Sequence, residues 1–220
     1  LRGATPEYDI GVWRRAATPL LVVAAMEALF DKTGVLILGL AGKHEAAGIY
    51  ALVFNMAMLV VLPRVAIDTM FAPSIARLHA EGRSAAVQAL MMKASTLSVA
   101  VAACIVVAIV AVSGPLLSWF GPGFSRGETA LHILLVGQLF AAAAGSQLSI
   151  LAMTGHESQA AWLLAASAIG HGLLSIVLTG FFGLTGAAIA TSVAFVIWNI
   201  LMALNIWHKL RLRPGIFGLF

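Results

Sequence analysis

The chain has 220 residues, of which 61% are hydrophobic and only 10% are charged. About 25% of the residues of a soluble domain are charged, so this composition excludes an ordinary soluble domain and favours a membrane protein. The formal net charge of +4 does not indicate a nucleic-acid partner, because the basic residues are spread over short loops without interleaved aromatic residues.

Six apolar runs are long enough to cross a membrane, which takes about 20 residues per helix. They cover residues 16–40, 47–71, 94–118, 129–153, 160–182 and 186–208. We therefore predict an all-α membrane protein with a six-helix transmembrane bundle at 16–208, a cytoplasmic linker at 1–15 and a cytoplasmic tail at 209–220. The short links should make successive helices antiparallel neighbours. The chain begins with Leu1 rather than Met, and we expect it to be a fragment of a longer protein.

The first span carries Glu27, Asp31 and Lys32 near its middle. A charge at the bilayer centre costs about 2.5–3.5 kcal/mol on insertion scales, so three of them need a reason. Glu27 and Asp31 are four residues apart and share one face of a helix. Lys32 lies about 100° further round the helix.

The second span carries Asn55, Pro63, Arg64 and Asp68. Arg64 and Asp68 are four residues apart and can pair along the helix. Pro63 removes a backbone hydrogen bond inside the span, which predicts a kink that can serve as a hinge.

The first two spans together predict a polar ladder. If the hairpin turns near residues 43–44, Lys32 lies level with Asn55, and Glu27 lies about one helical turn from Arg64. The charges could pair with one another and only fix helix packing. Alternatively, they could line a water-filled cavity and meet a charged substrate or a coupling ion, which is the default for intramembrane ionisable groups.

The segment 72–93 is the longest link between spans. Apolar Ile75, Leu78 and Val87 alternate there with Arg77 and Arg83. The pattern predicts short amphipathic helices on the cytoplasmic interface, and a solvated connector is the alternative.

Lysine and arginine residues predict the orientation of the bundle. With the N-terminus in the cytoplasm, nine of them fall on the cytoplasmic side, namely Arg2, Arg14, Arg15, Arg77, Arg83, Lys93, Lys209, Arg211 and Arg213. Only Lys43 and Arg126 fall on the other side. This positive-inside bias places both termini in the cytoplasm.

The last four spans are typical of a packing scaffold. Small residues recur every four positions, at Gly137, Ala141 and Gly145 and at Gly186, Ala190 and Ala194, which allows close helix contact. Five polar residues in these spans are predicted to make interhelical hydrogen bonds: His132, Gln138, Gln147, His171 and Asn199. The single cysteine, Cys104, reads as a small buried hydrophobic residue, and no metal site, cofactor or catalytic residue is predicted.

The sequence resembles the C-terminal half of a lipopolysaccharide or O-antigen oligosaccharide flippase, in the multidrug/oligosaccharidyl-lipid/polysaccharide exporter (MOP) superfamily. The resemblance runs over nearly the whole chain. It is carried by WRRAATPLL at 13–21, GKHEAAGIYALVFNMAML at 42–59, PRVAIDTMFAPSIARLHAEGR at 63–83, LLSWFGPGFSRGETALHILLVGQ at 116–138, LAMTGHESQAAW at 151–162 and GLTGAAIATS at 183–192.

The resemblance implies a bacterial inner-membrane transporter of twelve or more helices in two six-helix bundles, of which this chain is the second. The substrate would be an oligosaccharide repeat unit on a polyprenyl diphosphate, flipped by alternating access during surface polysaccharide synthesis. Lys32 and Arg64, with Asn55 beside them, would bind the substrate. Glu27, Asp31 and Asp68 would hold these residues or bind a coupling cation. The missing N-terminal bundle and membrane lipids would be the partners.

Three other functions remain open. A cation-coupled multidrug exporter of the same superfamily would use Glu27 and Asp31, although aromatic residues are sparse in the first two spans. A six-helix intramembrane serine protease would need Ser146 and His171 to meet, yet simple antiparallel pairing leaves them about 6 Å apart in depth. A purely structural membrane subunit would use the charges for packing only.

Overall fold

The computed structural model describes residues 10–145, 147–154, 156–212 and 215. The described elements are α-helices and two 3-10 turns. The α-helices are α1 (Ile10–Leu40), α2 (His44–Met58), α3 (Leu62–Ala80), α4 (Ser84–Trp119), α5 (Glu128–Ala144), α6 (Gln147–Met153) and α7 (Glu157–Leu210). The turn at Leu59–Val61 lies between α2 and α3, and the turn at Phe124–Gly127 lies between α4 and α5.

These helices form an all-α bundle whose apolar helices suit a membrane. Four helical stretches within the described residues are long and apolar enough to cross a membrane: His44–Ala80, Ser84–Trp119, Phe124–Leu151 and Ser158–Leu210. The last stretch contains two spans. Helix α1, with 31 residues, is also long enough to cross a membrane, and it carries Glu27, Asp31 and Lys32, so its place as the first span stays a prediction. The predicted fold class is confirmed.

Helix α7 folds back on itself at Gly183, whose backbone angles (φ 56°, ψ −128°) are not helical. We call residues 157–182 its first arm and 184–210 its second arm. The arms pack side by side. The contact between them includes the His171 Nε2 atom, which lies 3.0 Å from the Thr191 hydroxyl oxygen. A Cβ atom on Gly186 would clash with the Leu178 carbonyl. The small residue at position 186 is therefore needed for the arms to turn this tightly.

The predicted span at 129–153 is broken into α5 and α6. Gly145 ends α5 with a positive φ of 77°, a conformation that side chains with a Cβ rarely adopt. Earlier in α5, a Cβ on Gly137 would lie 3.0 Å from the Ser192 Cα atom. The small-residue stripe thus does two things: Gly137 lets α5 approach α7, and Gly145 breaks the span.

The segment 72–93 does not form separate short helices. Residues 72–80 continue α3 and residues 84–93 begin α4, with a tight turn at 81–83 between them. In that turn Gly82 has a φ of 69°, and the Arg83 amide donates to the Leu78 carbonyl at 3.0 Å. The amphipathic pattern still holds, since Ile75 and Val87 are buried while Arg83 is exposed.

The bundle has two ends with different charged residues. At one end, Lys43 donates to the Thr179 carbonyl at 3.0 Å, and Arg126 pairs with Glu45 at 3.5 Å. We call this the Lys43 end. The other, the Arg83 end, contains the turn at 81–83. Leu212 is buried beside α3 and α4 at that end, so the described part of the predicted tail packs against the bundle.

Two hydrophobic clusters build the core. The cluster towards the Lys43 end includes Phe30, Tyr50 and Leu131, and the cluster towards the Arg83 end includes Ile75 and Leu164. Trp198 packs against both clusters. The level at which they meet is the level at which the intramembrane charges lie.

Candidate substrate cleft

A two-lobed cleft opens between α1, α3 and the second arm of α7, at the level where the hydrophobic clusters meet, with α6 lining one lobe and α5 the other. The lobe nearer the Arg83 end, the lower lobe, has a volume of about 300 Å³. The upper lobe, nearer the Lys43 end, has a volume of about 240 Å³. Five residues line both lobes, namely Glu27, Arg64, Val65, Trp198 and Asn199.

Arg64 reaches the cleft because the second span changes direction just before it. The 3-10 turn at Leu59–Val61 ends α2, and Pro63 stands in the first turn of α3. Proline is tolerated at that position because a backbone N–H in the first turn has no acceptor within the helix, so its absence costs little. The predicted hinge at Pro63 therefore lies beside an actual interruption of the helix, and movement about it remains a prediction.

Arg64 is surrounded by acidic groups. It interacts electrostatically with Asp68, one turn along α3, and with Glu27 on α1. Glu27 in turn lies in the field of Asp31. With all of them ionised, the three carboxylates and one guanidinium that line the cleft give a formal charge of −2.

The ion pairs Arg77–Glu81, Arg83–Glu81 and Arg126–Glu45, each shorter than 4 Å, lie at the two ends of the bundle. Among described residues, Glu27 and Asp31 have no such partner. Charges in a membrane interior need compensation from a partner, water or a ligand. The geometry therefore favours a hydrated cleft over the interpretation in which these charges only fix helix packing.

Two of the predicted substrate-binding residues lie outside the cleft. Lys32 and Asn55 are exposed and line neither lobe. Lys32 follows Asp31 directly, and consecutive helical residues point about 100° apart. The predicted ladder of four residues is therefore incomplete: the structure brings Glu27 and Arg64 together, but not Lys32 and Asn55.

Aromatic side chains, which the sequence pattern does not single out, form walls of the cleft. Phe30, Phe195 and Trp198 line the upper lobe, with the Phe30 ring 5.2 Å from Phe195 and 5.7 Å from Trp198 between centroids. Phe195, Trp198, Asn199 and Met202 follow the spacing of one helix face. That spacing is the signal in the sequence that could have revealed this wall.

Three amides predicted as hydrogen-bonding residues also line the cleft. Gln138 donates to the Met58 sulfur at 3.3 Å, which is the interhelical bond expected. Gln147 and Asn199 instead donate to carbonyls of nearby residues. The last spans therefore supply cleft residues as well as scaffold, contrary to the expectation from the sequence.

His171 belongs to a buried hydrogen-bonded group outside the cleft. Its Nε2 atom lies 3.0 Å from the Thr191 hydroxyl, which is 2.8 Å from the Tyr50 hydroxyl. Its ring lies 4.4 Å from Phe30. Ser146, its partner in the protease hypothesis, lies outside the described residues.

Comparison with known proteins places the fold. No family model matches the sequence, and no curated protein matches it either. Similar solved structures include two that each have 18% sequence identity and a TM-score of 0.72. One is a MOP superfamily transporter from Pyrococcus furiosus, described as having a binding pocket of reverse polarity that suggests a different function. The other is an outward-facing multidrug resistance MATE family transporter of the same superfamily.

The alignments cover 92% and 90% of this chain but only 46% and 44% of those structures. The bundle has the fold found in MOP superfamily transporters. The chain spans slightly less than half the length of either structure. At this identity the likeness establishes the fold, and the substrate has to be argued from the cleft.

Proposed function

We propose that this chain is one bundle of a membrane transporter that flips a lipid-linked oligosaccharide by alternating access. The substrate is an oligosaccharide repeat unit on a polyprenyl diphosphate, and the membrane is a bacterial inner membrane. The observation that carries the proposal is the cleft itself, with an arginine at the junction of its two lobes. The family resemblance of the sequence and the transporter fold support it.

The chemistry of the substrate explains why such a cleft is needed. A diphosphate with several sugars cannot enter hydrocarbon without losing the water on its polar groups, which is costly. A guanidinium binds phosphate through paired N–H donors, so Arg64 is the residue suited to the diphosphate. Arg64 interacts with Glu27 and Asp68, and an arriving diphosphate competes with these carboxylates.

The second bundle of the transporter completes the site. The similar structures are about twice as long as this chain, and a preceding six-helix bundle is the partner we propose. Two bundles that rock about a site at mid-membrane expose it to each side in turn. Additional positive charge for the diphosphate would come from that bundle, because the cleft side described here is net acidic. We propose that both termini face the cytoplasm.

A specific observation favours a second function, cation-coupled multidrug export. The cleft carries a formal charge of −2, and Phe30, Phe195 and Trp198 line its upper lobe. Carboxylates together with aromatic faces suit organic cations. The sparse aromatic residues of the first two spans argue against this function, but the second arm of α7 supplies the missing rings.

One experiment separates the two functions. The full-length parent protein is expressed in a flippase-null strain, and surface polysaccharide is quantified for wild type, Arg64→Ala and Arg126→Ala at matched membrane abundance. Arg126, exposed at the Lys43 end, is the matched control. We expect wild type and Arg126→Ala to restore polysaccharide and Arg64→Ala to fail. Failure of wild type in a strain with the matching glycan, together with efflux of cationic dyes, would favour multidrug export.

A further inference from the structure

The two lobes of the cleft differ in their uncharged polar groups. Thr69, Gln147, Ser149 and Asn199 line the lower lobe, whereas the upper lobe has only the amides of Gln138 and Asn199. Hydroxyl and amide groups can both donate and accept hydrogen bonds. A lobe lined by four such side chains from three helices suits an uncharged ligand that is rich in hydroxyl groups.

Gln147 is placed in the lower lobe by the break in the fourth span. Gly145 ends α5 and also lines this lobe, and α6 begins at Gln147. The Gln147 amide nitrogen donates to the Ala144 carbonyl at 3.1 Å, which fixes the side chain. Its carbonyl oxygen is buried and has no hydrogen-bond partner among the described residues. Buried acceptors are normally paired, so this oxygen lacks a partner that a ligand hydroxyl could supply.

Trp198 supplies an apolar wall of the same lobe. Its ring is held by Phe30 at 5.7 Å and by both hydrophobic clusters. An indole presents a flat apolar face together with a polar edge. A pyranose ring presents the matching surfaces, an apolar face of C–H groups and a rim of hydroxyls.

We propose that the lower lobe is the subsite for the sugar next to the diphosphate, with Trp198 against the sugar ring and Gln147 accepting a hydrogen bond from a sugar hydroxyl. The assignment rests on the proposed function, since it takes the diphosphate to lie at Arg64. Arg64 lines both lobes, so a sugar bonded directly to that diphosphate reaches the lower lobe. The lower lobe thereby selects the first sugar.

The test measures binding to the full-length parent protein in lipid nanodiscs by titration calorimetry. The probes are inorganic diphosphate and a panel of hexosyl and N-acetylhexosaminyl diphosphates without the lipid. The variants are Trp198→Leu and Gln147→Leu. Their matched controls are Trp162→Leu, on the outer surface, and Gln159→Leu, whose amide oxygen also lacks a described partner; neither control residue lines the cleft lobes.

We expect wild type to bind at least one glycosyl diphosphate about tenfold more tightly than inorganic diphosphate, the effect of about one or two hydrogen bonds. Trp198→Leu and Gln147→Leu should each remove most of this preference. An unfolding temperature in detergent equal to that of wild type would show that the variants are folded, and both controls should behave as wild type.

Equal binding of inorganic and glycosyl diphosphates by wild type would overturn the sugar subsite and leave the proposed function standing. A preference that survives both cleft variants would also overturn it. If wild type binds neither kind of ligand, the diphosphate site at Arg64 and the subsite fall together.

Discussion

Arg64 on α3 and Glu27 on α1 interact electrostatically across the cleft, and each lines both of its lobes. The two residues come from the first two spans of the chain and meet where the 3-10 turn before Pro63 redirects the second span. Between described residues, their side chains form no ion pair shorter than 4 Å. Arg64 therefore lies in the field of Glu27 without a short ion pair to it, so a ligand phosphate can compete for the guanidinium.

Arg64→Lys tests whether the guanidinium, rather than positive charge alone, is required. Lysine keeps the charge but cannot present the paired donors that bind phosphate in a fixed geometry. We expect transport by the full-length parent to fall by about tenfold, equivalent to about 1.4 kcal/mol, as measured by flipping of labelled substrate in proteoliposomes. Arg126→Lys should have no effect. Full activity of Arg64→Lys would show that Arg64 acts only as a point charge.

The buried Thr191 hydroxyl should contribute more to stability than the Tyr50 hydroxyl. Thr191→Val leaves both the Tyr50 hydroxyl and the His171 ring without their shared partner, whereas Tyr50→Phe removes one bond and leaves the other. Each lost bond costs about 0.5–1.5 kcal/mol. We expect the unfolding temperature in detergent to fall further for Thr191→Val, and the opposite order would contradict the shared-partner geometry.

Gly137→Ala tests the close contact between α5 and the second arm of α7. The added Cβ would lie 2.8 Å from the Ser192 hydroxyl oxygen and 3.0 Å from the Ser192 Cα atom, so the backbones must move apart. Overpacking of this kind costs about 1–3 kcal/mol, which lowers the unfolding temperature by several degrees.

Gly170→Ala is the matched control for this prediction. Gly170 is helical, and no atom outside its own helix turn would lie within 4 Å of an added Cβ. Alanine has the higher helix propensity, so this variant should be as stable as wild type or more so. An equal fall in the unfolding temperature of both variants would show that the contact between α5 and α7 does not cause the destabilisation of Gly137→Ala.

The proposed orientation predicts which exposed sites can be labelled from outside the cell. Arg126 and Arg83 lie at opposite ends of the bundle, with 74% and 63% of their side chains exposed. In a Cys104→Ser background, Arg126→Cys should react with an impermeant maleimide on intact cells. Arg83→Cys should react only after the inner membrane is opened. The reverse pattern would invert the topology.

The sequence predicts the all-helical membrane fold well, because that fold depends on local composition. A run of about 20 apolar residues has few alternatives to a membrane helix, and charges within it are visible at once. The sequence also predicts that Glu27 and Arg64 meet, since depth along an antiparallel hairpin follows from residue number.

The rotation of each helix about its axis is harder to predict from the sequence. The differences between the expected and observed places of cleft residues come from this rotation. Lys32 and Asn55 were expected inside the ladder but lie on exposed faces, because helix rotation depends on packing against the rest of the bundle. Trp198 is distant in sequence from Glu27, so its place in the cleft depends on how the second arm of α7 docks against α1. In the sequence, Gly145 is equally compatible with a packing stripe and with a helix break, and only its positive φ in the structure distinguishes the two.

The turn at 81–83 has a consequence for imaging. Helix α4 has 36 residues, so it is about 54 Å long, well beyond a hydrocarbon core of about 30 Å. Residues 84–93 at the start of α4, paired with the last turns of α3, thus carry the three-residue turn at 81–83 away from the bilayer at the Arg83 end. A soluble helical protein fused in register at this turn would be held without a flexible joint, giving a small membrane protein the fiducial that single-particle alignment requires.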